Sequence, residues 1–227
     1  MIEGMFISEK LKKVFLVLYD INAIINTTLL TLNSVSLSAF YGLACFYITD
    51  LCRHAEKAVA NAKEIRECKA VIYQRLIIRN LMQSLENFMC FPAFTLVVSS
   101  MTGMFWSSYK VIFVTNKTNN SYLHYLSCTA AEMFHCSIIG MLILSASSAN
   151  TAAEVAKEAV LSFPGKIPQY YNELKVILRK DSKKNICLTL WKVYKIDRSL
   201  IISAVGVVMS YGFLIATLGT VNSHNNK

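Results

Sequence analysis

Charge is scarce in this chain. Only 16% of its 227 residues are Asp, Glu, Lys or Arg, where a soluble domain carries about a quarter. The deficit is concentrated: residues 21–49, 87–109, most of 118–153 with Glu132 and His135 aside, and 199 up to the terminal lysine carry none. A hydrocarbon core needs about 20 apolar residues of helix, so four membrane spans are the economical reading.

Other absences narrow the class further. The seven cysteines (Cys45, Cys52, Cys68, Cys90, Cys128, Cys136 and Cys187) fall in the expected spans or on the expected cytoplasmic side, and no disulfide framework is implied. No convincing cleavable signal precedes the first span: Lys10, Lys12 and Lys13 imitate a signal-peptide start, but Asp20 interrupts the apolar run and no small-residue cleavage site follows. Nucleophile, base and orienting group do not recur at motif spacing, and there is neither a Gly-rich phosphate loop nor a metal-binding helix. Neither an enzyme nor a cofactor is expected. Cys128, Glu132, His135 and Cys136 form no further ligand pattern, so a metal site is set aside. The sequence shows no internal repeat and no low-complexity tract.

The charge that is present is strongly placed. The formal net charge is +9, and the basic residues sit beside the apolar runs. Seven lie in residues 53–79 and ten in 157–198, while the connection at 110–122 holds only Lys110 and Lys117. This is the positive-inside pattern. No aromatic-basic surface accompanies it, so nucleic acid is not an expected partner. Asn116 and Asn119 both fit the glycosylation acceptor pattern, which places their loop on the lumenal side and agrees with the charge bias.

The expected fold is all-α: a multi-span transmembrane helical bundle with long helices extending into the cytoplasm. Residues 1–52 hold a first long helix continuing into the charged stretch, and 53–80 form a helical cytoplasmic connection. Residues 81–153 contain two spans and a short external loop, the first kinked at Pro92. The small residues around 145–153 allow close helix approach. Residues 154–198 are a basic cytoplasmic connection in which 171–196 reads as an amphipathic helix, and 199–227 form the last span and an external tail.

Polar residues inside the spans are the candidate functional groups. Glu132 and His135, one turn apart, either satisfy each other within the bundle or face a pocket open to the outside. Glu86 reads as a helix N-terminal carboxylate or a partner of Arg79. Along the last span, Ser203, Gly206, Ser210 and Thr217 share a face interrupted by Phe213 and Leu214. That stripe fits either a polar pore lining with a hydrophobic constriction or small-residue packing through Gly206-xxx-Ser210 and Gly212-xxx-Ala216.

One family is similar at these residues. In SYGFLIAT, Ser210 and Tyr211, the five positions 212–216 and Thr217 resemble the last-span signature of arthropod gustatory receptors, with Thr217 at the position where the family has Gln. Trp191, Tyr194 and Asp197 resemble the family's approach to that helix. The resemblance covers the C-terminal half of such a receptor, so a fragment or a truncated subunit is expected. It implies a chemosensory subunit of a homo- or hetero-tetrameric, ligand-gated cation channel detecting a small-molecule tastant, multi-pass in the lipid of the plasma membrane with its C-terminus extracellular. By position, Ser203, Gly206, Ser210, Tyr211, Phe213, Leu214, Thr217 and Leu218 are the pore and gate candidates, and Asn22, Asn26, Tyr122, Tyr125, Glu132 and His135 the ligand-pocket candidates. The other readings are a non-conducting interaction subunit and, less favoured for want of broken helices and repeats, a small transporter.

Overall fold

The computed structural model describes residues 9–62, 64–113, 121–162, 176 and 187–224. Four helices account for nearly all of them: α1 (Glu9–Asn61), α2 (Ile65–Phe113), α3 (Ser121–Leu161) and α4 (Ser199–His224), with a two-stranded antiparallel hairpin, β1 (Thr189–Leu190) and β2 (Tyr194–Lys195), before α4. Three stretches are long and apolar enough to cross a membrane, 11–61, 66–111 and 122–161, and a shorter apolar run covers 202–212 of α4.

At 1.5 Å per residue, the 53, 49 and 41 residues of α1, α2 and α3 extend roughly 80, 74 and 62 Å, against a hydrocarbon core of about 30 Å. Each helix therefore projects well beyond any bilayer it crosses, as the sequence leads one to expect. α2 continues through Pro92.

The chain divides into a unit of residues 1–37 and a second of residues 38–227, and α1 contributes to both. In the first unit the side chains of residues 11–33 are exposed. The hydroxyls of Thr27, Thr28, Thr31 and Ser34 each donate to the carbonyl four residues earlier at 2.8–2.9 Å. Such back-bonding leaves no hydroxyl proton unsatisfied where water is absent.

The second unit holds the core. Tyr41, Cys45, Ile48, Cys52 and Ala55 of α1 bury against Met82, Met89 and Ala93 of α2 and against Ile139, Leu142, Ile143 and Ala146 of α3. The small run of α3 works as expected: Ala146, Ser147, Ala149 and Asn150 are all buried, because residues without bulk let helix backbones approach.

Two elements depart from the sequence reading. The charged stretch after α1 is not one continuous helix: α1 ends at Asn61 and α2 restarts at Ile65, with the Glu67 carboxylate accepting from the Glu64 N–H at 3.2 Å. That bond satisfies one amide donor at the opening of α2. Val59 of α1, Cys68 and Val71 of α2 and Val160 of α3 close a second small core beside the turn. The expected helix over 171–196 is corrected at its end, where residues 188–196 form the hairpin; residue 176 is helical, and 171–175 and 177–186 lie outside the described residues.

Replacing the fully buried Ala149 with Leu forces extra volume into the helix contact. Thermal unfolding in mild detergent should show destabilisation of about 1–3 kcal/mol.

Candidate functional site

Glu132 and His135 lie on α3 against α2, and each meets a different partner there. The Ser108 hydroxyl donates to Glu132 Oε1 at 2.9 Å. His135 lies over Gly103, where an added Cβ would stand 2.2 Å from Nε2. Its Nδ1 is buried and has no hydrogen-bond partner among the described residues. Thus neither residue is satisfied by the other; Glu132 is held across the helix pair and His135 fills the space that a glycine leaves. Gly103 and Ser108 are the contacts the sequence reading missed, although small residues such as these within an apolar run are the usual marks of close helix packing.

The remaining pocket candidates occupy open positions. Tyr122 and Tyr125 are exposed on the first turns of α3. In the first unit, Asn26 Nδ2 donates to Asn22 Oδ1 at 3.3 Å along one helix face. Cys128 contacts His124 Nδ1 at 3.3 Å and Cys136 contacts Met104 at 4.0 Å. Among the described residues, no three His, Cys, Asp or Glu groups gather as a metal site would require.

On α4, Ser203, Gly206, Ser210, Tyr211, Leu214 and Thr217 are all exposed in the single chain. Ser203 donates to Ser199 O at 3.2 Å and Thr217 to Leu214 O at 2.9 Å. A Cβ built at Gly206 or Gly212 meets nothing within 4 Å. α4 is attached along one side, with Tyr211 edge-on to Phe105 of α2 at 5.6 Å between ring centres. The positions of Phe213 and Leu218 fall within α4.

The most extensive polar assembly lies at the basic end and centres on the hairpin. Asn150 of α3 is buried, and its amide nitrogen donates to Leu188 O at 3.1 Å and to Ile196 O at 3.0 Å. Its oxygen accepts from the Leu188 N–H at 2.7 Å. One side chain therefore ties both arms of the hairpin to α3. Glu86 of α2 accepts from the Thr189 N–H at 2.8 Å and from the Thr189 hydroxyl. The expectation of an N-terminal carboxylate at Glu86 is corrected here. α2 begins 21 residues earlier, at Ile65, so the helix dipole has no purchase on it.

The turn itself is unusual. Trp191 and Lys192 have φ of 50° and 57°, and the Val193 N–H closes the turn on Leu190 O at 3.1 Å. Positive φ at both central residues of the turn 190–193 is the primed geometry that suits strand twist and is normally supplied by Asn-Gly. Since Leu190 pairs with Tyr194, the loop between the strands is the three residues 191–193. Here the Trp191 ring is packed on Phe94 at 4.8 Å and edge-on to Phe91 at 6.2 Å, which holds the strained turn against α2. Leu188, Leu190 and Ile196 are buried beneath it. Beyond β2, the Asp197 carboxylate accepts from the Arg198 N–H at 2.6 Å and its carbonyl from the Leu200 N–H at 3.1 Å, so α4 starts directly at the hairpin's exit.

A scan against protein-family models finds no match for the chain, and no curated protein is significantly similar to it in sequence.

Two outcomes test these contacts. Gly103→Ala should destabilise by about 1–3 kcal/mol through the clash with the His135 ring, and adding His135→Ala should restore most of the loss in a double-mutant cycle of thermal unfolding. Asn150→Leu removes the partner of the Leu188 amide and of the Ile196 carbonyl, each costing about 1–3 kcal/mol if they stay buried, while the Leu188 carbonyl keeps the Ile196 N–H at 3.1 Å. Hydrogen exchange across 187–196 should accelerate in that variant while the α2 core around Met89 stays protected.

Proposed function

We propose that the chain is a gustatory-receptor-like chemosensory membrane subunit, in which the last helix of four assembled subunits lines a cation pathway opened by a small-molecule tastant. The observation that carries this reading is the state of α4: its small and hydroxylated positions are exposed in the single chain, with the glycines at 206 and 212 facing open space. A bundle that had used this helix only for internal packing would have filled those positions. Assembly of further copies supplies the missing surfaces and encloses the polar face.

Two features support the same reading. The helices are far longer than a bilayer is thick, which provides the cytoplasmic bundle that the resemblance implies. The seven and ten basic residues flanking the 110–122 connection support a reading with that bundle inside and the C-terminus outside. Tyr122, Tyr125, Glu132 and His135 are assigned to the ligand-facing side of α3, and Phe213, Leu214, Thr217 and Leu218 to the constriction. A second reading, a non-conducting interaction subunit, is favoured by one detail: Ser203 and Thr217 donate into their own helix and so need no pore water to be satisfied.

Current recordings separate the two. Thr217→Leu is expected to reduce tastant-evoked cation current with surface expression unchanged, because a drier constriction raises the barrier to ions. Unaltered current and selectivity for substitutions at Phe213, Leu214, Thr217 and Leu218 alike would leave packing as the role of α4. An epitope tag at the C-terminus should stain on intact cells, and staining only after permeabilisation would reverse the topology.

A further inference from the structure

A cavity of about 290 Å³ opens beside the hairpin at the basic end of the second unit. Its charged lining comes from three elements: Arg75 and Arg79 of α2, Lys157 and Glu154 of α3, and Lys195 of β2. Four cations thus face one carboxylate. Arg75 and Arg79 are four residues apart and share a helix face. The Glu154 carboxylate engages Lys195 at 3.5 Å, an exposed ion pair of little energetic weight. Cys187 lines the same wall.

The geometry points to a binding site for a polyphosphorylated anion. Guanidinium groups present paired donors that match phosphate oxygens, and the volume is near the lower end for small-molecule sites, ~300 Å³. Four basic groups contributed by three elements fit a ligand with several anionic groups better than a single carboxylate. Such an anion has two sources with the same chemistry: a soluble inositol polyphosphate, or the headgroup of a phosphoinositide at the cytoplasmic surface, where basic pockets between helices capture such lipids. Bound there, it bridges Lys195 of the hairpin to Arg75 and Arg79 of α2 and to Lys157 of α3, adding ties where the hairpin hands over to α4. The site stands whether or not α4 lines a pore.

Cys187 provides the readout, since an occupied cavity covers it. Burial raises its thiol pKa, with Lys195 acting in the opposite direction, so alkylation by a soluble maleimide is followed at mildly alkaline pH. Site-resolved mass spectrometry of the full chain follows Cys187, with a small thiol peptide added to the same reaction as internal control. Inositol hexakisphosphate added to detergent-solubilised protein, and phosphatidylinositol bisphosphate in nanodiscs, are the two probes. Slowing of Cys187 alone by the soluble probe identifies a free anion as sufficient, and slowing only in phosphoinositide nanodiscs identifies the lipid. In Lys157→Gln/Lys195→Gln the concentration giving half protection should rise by roughly tenfold per lost contact, whereas Glu154→Gln should lower it, a gain that a misfolded variant does not produce. Failure of both probes to slow Cys187, or equal protection in the wild-type chain and the double variant, overturns the proposal.

Discussion

The buried carboxamide of Asn150 constrains more of this structure than any other single group. It lies in a run of small residues where α3 comes closest to its neighbours, and it spends its hydrogen-bonding capacity on the backbone of a hairpin 38 and 46 residues further along. An amide so placed must be satisfied, because an unpaired polar group in an apolar core costs several kcal/mol. The hairpin needs the same bonds in return. Two-residue strands make too few ladder bonds to persist by themselves. With Glu86 holding Thr189 from α2, the hairpin has one anchor on each of two helices and is defined by both.

This arrangement explains why the hairpin tolerates an unfavourable turn. Non-glycine residues at positive φ are held only where the surroundings over-determine them, at a cost of order 1–3 kcal/mol each. Trp191 compensates through its edge-on contact with Phe91 and its tilted packing on Phe94, while Leu188, Leu190 and Ile196 are buried beneath the strands. The side chains that stabilise the turn therefore belong to the same packing that positions α2. The strain is supported by tertiary contacts, and the local sequence does nothing to relieve it.

Much of the architecture was legible from hydropathy and charge. Apolar runs with few charges gave the long helices, since length and charge exclusion are a direct consequence of what a hydrocarbon environment accepts. Pro92 lies inside α2, which continues through it. The hairpin was hidden for an identifiable reason: Trp191-Lys192 lacks the Asn or Gly that usually announces such a turn, and the basic residues around it imitate an amphipathic helix. Glu86 and Asn150 gave a fainter signal. Each is a solitary polar residue where the neighbours are apolar or small, and such a residue has a specific partner. Only the fold identifies it as a backbone segment more than 35 residues away. For Glu132 and His135, the spacing correctly placed both on one face of α3. It could not show that their partners are Ser108 and Gly103 on α2, since sequence spacing carries no register between helices.

The hairpin's position gives these contacts a wider consequence. Asp197 starts α4 as soon as β2 ends, so there is no slack chain to absorb a displacement of the strands. Glu86 and Asn150 sit on different helices, and a change in the separation of α2 and α3 shifts the two anchors together. The attachments that hold the hairpin are few: the bonds from Glu86 and Asn150 and a charged pair at Lys195 and Glu154. Around that junction Arg75, Arg79, Lys157 and Lys195 line one cavity with Glu154, and an anion placed there would bridge the three elements that carry them. The basic residues that line this cavity therefore bear on how firmly α4 is held at its start.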